Sequence, residues 1–171
     1  MGLLRHRDDG PAPTRYRMQE KLISIGDDYW VEDEGGNRAY KVDGKAMRVR
    51  DTWVLKNASD DDVATIRERK LSVRDAMTIE IGDRKAVVKK AVVGIRDRFH
   101  VEVEGGSDLK AHGNVVDHEY EIEGDQGTIA TVSKRWFRVR DTYGVEVAPG
   151  ADPVLALAVT VAIDALAHDH G

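Results

Sequence analysis

The sequence predicts a mainly β protein: a closed antiparallel barrel of twelve strands, built from six hairpin units around a buried apolar C-terminal α-helix. Three features lead to this prediction, namely a strand phrase that recurs about every 23 residues, a polar turn cluster between copies, and one apolar segment near the end. The chain has 171 residues, which is enough for one domain with its own core.

The recurring motif has an apolar residue directly before an Arg-Asp pair and an aromatic residue two positions after the Asp. Clear copies are V-R-D-T-W-V-L at 49–55 and V-R-D-T-Y-G-V at 139–145. With degenerate copies included, its third position falls on Asp27, Asp51, Asp75, Asp97, His118 and Asp141. Such regular recurrence predicts six copies of one supersecondary unit.

Each unit has the pattern of a β-hairpin. In the copy at 47–55, apolar and polar side chains alternate with period two, which indicates a half-buried strand. Polar clusters containing Gly or Asn, typical of tight turns, follow the copies at 34–37, 57–62, 81–84, 104–107 and 123–126. Second strands are predicted at 39–42, 63–66, 86–89, 109–111 and 128–132, with a sixth near 15–25. Two strands per unit give twelve in all.

The role of the Arg-Asp pair is left open by the pattern. The pair could form a tight elbow between strands, or it could lie within one long bent strand. The Asp shares the parity of the inward residues, and burying an unpaired carboxylate is costly, so the elbow is favoured.

The interior of the barrel is predicted to hold the apolar segment at 153–167. Its sequence is P-V-L-A-L-A-V-T-V-A-I-D-A-L-A. A barrel of about eight strands is filled by its own side chains, whereas a larger one encloses something. A helix that is apolar on every face must be buried, and this one is shorter than the about 20 residues of a bilayer span. We therefore predict an enclosed helix rather than a transmembrane one, with Asp152 as N-cap and Pro153 in the first turn.

The sequence also limits the domain organisation, the cellular location and the kinds of partner that are expected. Residues 1–14 are predicted to be a flexible N-terminal tail, residues 15–167 a single barrel domain, and residues 168–171 a C-terminal tail. The chain has no cysteine, and its first residues lack the apolar run of a signal peptide, which fits a cytoplasmic protein. The net charge of −5 argues against a nucleic-acid partner.

Several of these features together resemble the LURP-one-related family, which shares the tubby C-terminal and phospholipid-scramblase superfamily. They are the recurrent R-D strands, the segment S-K-R-W-F at 133–137, the phrase D-T-Y-G-V at 141–145, and the final apolar helix. The resemblance covers 15–167 and implies a twelve-stranded barrel around a C-terminal helix. It also implies a link to phospholipids, because tubby-type domains bind phosphoinositide head groups. No tubby ligand motif is legible here, so no binding residue is carried over.

Motifs for catalysis or cofactor binding are absent from the sequence. It has no G-x-S-x-G, P-loop, H-E-x-x-H or dinucleotide fingerprint, so we predict no enzyme activity, no catalytic residue and no cofactor. The acidic run at 60–62 is interpreted as a polar turn. His112, Asp117 and His118 lie close in sequence, but a loop followed by a degenerate repeat copy is the favoured interpretation, and no metal site is predicted.

Basic clusters are the candidate binding residues. If 134–140 were a strand, Phe137 and Val139 would face the helix, and the residues of opposite parity would face water. The candidates are Lys134, Trp136, Arg138 and Arg140, with a second cluster of Arg84, Lys85, Lys89 and Lys90. An exposed Trp flanked by cations suits a phospholipid head group or another anion. The alternative is a solvated barrel face with charges paired across strands.

Two functional hypotheses follow from the sequence. The leading one is a non-enzymatic domain, cytoplasmic or peripheral at the membrane, that binds anionic phospholipid or another anionic ligand. The alternative is a soluble interaction or structural module with a protein partner and no lipid ligand. Salt-sensitive binding to anionic vesicles would distinguish the two.

Overall fold

The structure is a computed structural model that describes residues 12–20, 28–45, 52–71, 74–91 and 98–168. This part of the chain contains twelve strands and one helix. The first six strands are β1 (Thr14–Gln19), β2 (Asp28–Asp33), β3 (Arg38–Lys45), β4 (Thr52–Asn57), β5 (Asp62–Leu71) and β6 (Arg74–Ile81). The remaining elements are β7 (Arg84–Ala91), β8 (Arg98–Val103), β9 (Leu109–Asn114), β10 (Glu119–Gly124), β11 (Gly127–Ser133), β12 (Thr142–Val147) and α1 (Pro153–His168).

The strands form one closed antiparallel barrel in chain order. Each strand pairs with its neighbours in sequence, and β12 closes the barrel by pairing with β1, from Thr14 opposite Val147 to Gln19 opposite Thr142. Closure leaves none of the twelve described strands with an edge exposed for pairing with another chain. The predicted twelve-stranded barrel is therefore confirmed.

Alternating strand direction gives the barrel two different ends. The hairpin end carries the turns at 34–37, 58–61, 82–83, 104–108 and 125–126, together with the link to α1 at 148–152. Gly36 and Gly105 adopt left-handed φ values of 78° and 70° in two of these turns, as the turn composition predicts. The opposite end, which we call the loop end, carries the described loops 115–118 and 134–141.

The helix α1 fills the barrel. Every residue from 156 to 164 is buried, and the inward side chains of the strands form one hydrophobic cluster with the helix. Asp152 caps the helix as predicted, since its Oδ1 accepts a hydrogen bond from the Val154 N–H at 3.0 Å. No helix in the described part of the chain combines the length and the apolar character that a bilayer crossing requires.

The described Arg-Asp positions all stand where a strand begins, and none of them lies in the interior of one long bent strand. Asp141 and His118 have φ values of 59° and 52° and stand immediately before β12 and β10, so each forms an elbow. Asp75 is the second residue of β6, and Arg74 pairs antiparallel with Leu71 at the end of β5, so this pair also begins a new strand. The equivalent residues Asp27, Asp51 and Asp97 lie outside the described residues, as does the predicted N-terminal tail up to residue 11.

Candidate anion-binding site at the loop end

Charge is distributed unevenly between the two ends of the barrel. The turns and the link at the hairpin end contain no Lys or Arg among their described residues. Their acidic residues are Glu34, Asp60, Asp61, Asp83, Glu104, Asp108, Asp125 and Asp152. The described loops at the loop end carry Lys134, Arg135, Arg138 and Arg140 against Asp117 and Asp141. Among the residues that the structure describes, the loops at the loop end therefore carry a positive balance and the turns at the hairpin end a negative one.

Hydrogen bonds hold both ends of the 134–141 loop. Glu119 Oε1 accepts from Ser133 Oγ at 3.0 Å and from the Lys134 N–H at 3.1 Å. At the other end, Thr142 Oγ1 donates to the Val139 carbonyl at 2.6 Å. These hydrogen bonds fix the backbone conformation at both ends of the loop, and the arginines extend from that backbone.

Two aromatic rings seat this loop on the outside of β12. A Cβ added at Gly144 would lie 2.7 Å from Trp136 Cε3 and 3.0 Å from Phe137 Cε2, so the bare glycine backbone makes room for both rings. The Arg15 guanidinium carbon lies 4.8 Å from the centre of the Trp136 ring, which is a cation–π contact. Trp136 is therefore half-buried and committed to contacts within the protein.

The predicted strand parity of residues 134–140 is wrong. These residues form a loop, because neighbouring Trp136 and Phe137 pack against the same glycine instead of pointing to opposite faces. Phe137 consequently lies on the outer face of the barrel, away from the helix. Val139, which the parity placed inside, is 51% exposed.

Only part of the first predicted cluster remains available to a ligand. Lys134 Nζ lies 2.6 Å from Glu20 Oε1, and this hydrogen bond is the main reason that the pKa of Lys134 is raised. Arg138 and Arg140 are exposed and form no ion pair with any described residue. The exposed Val139 lies between these two arginines, and Val116, which is 59% exposed, lies in the other described loop at this end. Arginines beside exposed apolar side chains suit a membrane surface.

The second predicted cluster is not one patch. Arg84 and Lys85 begin β7 beside the acidic hairpin end, whereas Lys89 and Lys90 lie near its other end. Lys89 Nζ is 3.1 Å from Glu102 Oε1 on the neighbouring strand, a cross-strand pair of the kind expected for a solvated barrel face. The strand therefore divides the four residues between the two ends of the barrel.

A buried polar cluster lies beneath the loop end. The Tyr143 hydroxyl donates a hydrogen bond to Asp164 Oδ2 on α1, and His118 Nε2 lies 3.5 Å from Asp164 Oδ1. The His118 ring stacks on Tyr143 with 4.2 Å between ring centres. Tyr29 and Tyr120 are also buried, and burial followed by the charge of Asp164 raises the pKa values of all three tyrosines well above 10. The hydrogen bond from Tyr143 thus connects the last turns of the helix to β12.

These raised tyrosine pKa values predict a loss of stability in alkali. Because the folded chain retains phenol protons that the unfolded chain releases near pH 10, the stability is complete below about pH 10 and falls above it. Three such groups give a slope of up to about 4 kcal/mol per pH unit. Urea unfolding from pH 8 to 11 measures this slope, and Tyr29→Phe should reduce it by about a third. A free energy of unfolding that stays constant up to pH 11 would contradict the prediction.

The structure also separates the histidines that are close in sequence. His118 is buried against Asp164, and Asp117 accepts a hydrogen bond at 2.7 Å from the Asn114 side chain. His112 instead projects outward beside Glu121 and Glu123 of the next strand. Sequence reasoning missed this group, because only the register of β9 against β10 brings the three residues together.

Comparison with known proteins gives three findings. The sequence model of the LURP-one-related family matches residues 14–164. The chain is 22% identical over 148 residues to an uncharacterized Bacillus subtilis protein, YxjI, covering 86% of this chain and 90% of that one. It is also similar to the crystal structure of the Arabidopsis thaliana protein AT5G01750, with a TM-score of 0.59 and coverage of 91% of each chain. At 16% identity, the second likeness concerns the fold alone.

Proposed function

The chain belongs to the LURP-one-related family, and from this premise we propose that it is a non-enzymatic domain that docks its loop end onto an anionic phospholipid surface. One observation carries the proposal: Arg138 and Arg140 are exposed, without ion pairs to described residues, on both sides of the exposed Val139. In such a surface the arginines would meet lipid phosphates while the valine enters the interface.

The net charge of −5 does not oppose this orientation. The acidic turns lie at the far end of the barrel. A six-residue strand such as β12 is about 20 Å long, and with strand tilt the two ends are about 15 Å apart along the axis. That separation exceeds the Debye length of about 8 Å at physiological ionic strength. Repulsion of the hairpin end by a membrane that contacts the loop end would therefore be largely screened.

Charge reversal at the loop end provides the test. The variant Arg138→Glu/Arg140→Glu should bind anionic vesicles at least about 30-fold more weakly, since each basic residue near such a surface contributes about 1 kcal/mol. Both residues are exposed and unpaired among the described residues, so the fold should be kept. Co-sedimentation with phosphatidylcholine vesicles, with and without phosphatidylserine, at low and high salt measures the effect.

A matched control changes the same charge at the other end. Arg84→Glu/Lys85→Glu lies beside the hairpin end and alters the net charge by the same amount. It should bind nearly as well as the parent protein. Equal losses in both variants would refute end-on docking, and no binding of the parent to either vesicle would favour the soluble protein-interaction module instead.

A further inference from the structure

We propose that His112, Glu121 and Glu123 form a binding site for a first-row divalent transition metal ion on the outer face of the barrel. The strands β9 and β10 pair with His112 directly opposite Glu121 and with Lys110 opposite Glu123, so Glu123 is diagonal to His112. Side chains alternate along a strand, and the intervening Ala111 and Ile122 are buried. The three side chains therefore project together from the same outer surface.

The distances between the donor atoms suit a metal ion. One ligand atom from each residue lies within 4.8 Å of the others, and His112 Nε2 is 3.0 Å from Glu123 Oε1. In a tetrahedral zinc site with bonds of about 2.0 Å, neighbouring donor atoms are about 3.3 Å apart. The His112 Nε2 and Glu123 Oε1 atoms thus already have nearly the separation of two neighbouring ligands in such a site. The remaining gap can be closed by rotation of the exposed Glu121 side chain between staggered rotamers.

The chemistry of these donors selects a class of ion. Imidazole nitrogen suits Zn²⁺, Fe²⁺, Co²⁺ and Ni²⁺, whereas Mg²⁺ and Ca²⁺ prefer ligand sets made only of oxygen. Two carboxylates and a neutral imidazole would balance the charge of one divalent ion. Lys110 and Arg98 stand opposite Glu123 and His112 on the paired strands, so their charges moderate the affinity of the site.

Three protein ligands leave part of the coordination sphere open. His112 and Glu121 line a surface cleft of about 420 Å³, together with the hydroxyl-bearing Thr131 and Ser133. Water or a small anion in this cleft can complete the coordination of the bound ion. The three ligands lie on β9 and β10, away from Arg138 and Arg140, while Arg135 of the 134–141 loop also lines the cleft.

Titration of the full chain with Zn²⁺ and with Co²⁺ tests the assignment. Calorimetry should give one bound ion per chain, and Co²⁺ should develop visible absorption bands on binding. His112→Ala should weaken the affinity at least about 100-fold, and Glu121→Gln or Glu123→Gln at least about tenfold.

The neighbouring strand offers a matched control. His100 on β8 is a similarly exposed histidine with one carboxylate nearby, Asp108 Oδ2 at 3.4 Å. His100→Ala should keep the parental affinity. Retention of tight binding by His112→Ala, equal losses in the two histidine variants, or no binding by the parent chain would each overturn the proposal.

Discussion

The Ala158→Asp variant should fail to fold. Ala158 is fully buried in the middle of α1, inside the barrel, and its neighbours in the cluster are apolar. A carboxylate at this position would be buried without a partner, which costs at least about 5 kcal/mol. Natural domains are stable by only about 5–15 kcal/mol, so a cost of this size cancels the whole stability of a domain at the lower end of that range. Circular dichroism and thermal melting of the purified variant measure the loss.

The same substitution near the end of the helix serves as the control. Ala167 is only half-buried, so Ala167→Asp leaves the new carboxylate in contact with water. Its expected cost is about 1 kcal/mol, chiefly from the unfavourable interaction of a negative charge with the C-terminal end of the helix dipole. A cooperative transition for Ala158→Asp at the parental temperature would mean that α1 is not enclosed.

The parts of the fold that the sequence predicts are those with a repeated local signal. The period-two alternation, the Gly-containing turns and the all-round apolar helix each depend on residues that are close in sequence, and all three predicted the right element. The alternation of residues 134–140 resembles that of a strand, whereas the structure has a loop there. Its actual path depends on Gly144, whose lack of a side chain accommodates Trp136 and Phe137.

The candidate sites were harder to predict, because they depend on register and on contacts between distant residues. The basic residues at 84–90 look like one cluster in sequence, yet the extended strand β7 separates them. His112 meets its carboxylates only through cross-strand pairing. Asp164 stands out in the sequence as the single charge of the apolar helix, but its partners lie on other elements of the barrel.

The buried tyrosines around Asp164 allow a paired test of this cluster. Tyr143→Phe removes the hydroxyl that donates to Asp164 Oδ2, in a place where both side chains are buried. Hydrogen bonds to charged groups contribute about 1.5–3 kcal/mol, and the carboxyl group would lose a donor that water cannot replace. For a chain of 171 residues, we expect the midpoint of thermal unfolding to fall by about 5–10 °C.

Tyr29→Phe removes the same hydroxyl group from a different environment. The Tyr29 hydroxyl is buried and has no hydrogen-bond partner in the described part of the chain. The free energy that it costs to remove this hydroxyl from water is therefore not offset by a hydrogen bond among these residues. Its removal should leave the stability unchanged or raise it by about 1 kcal/mol. Since both variants delete one buried phenolic oxygen, the difference between their midpoints isolates the bond to Asp164. Equal destabilisation in the two variants would show that this bond does not specifically anchor the helix to the barrel.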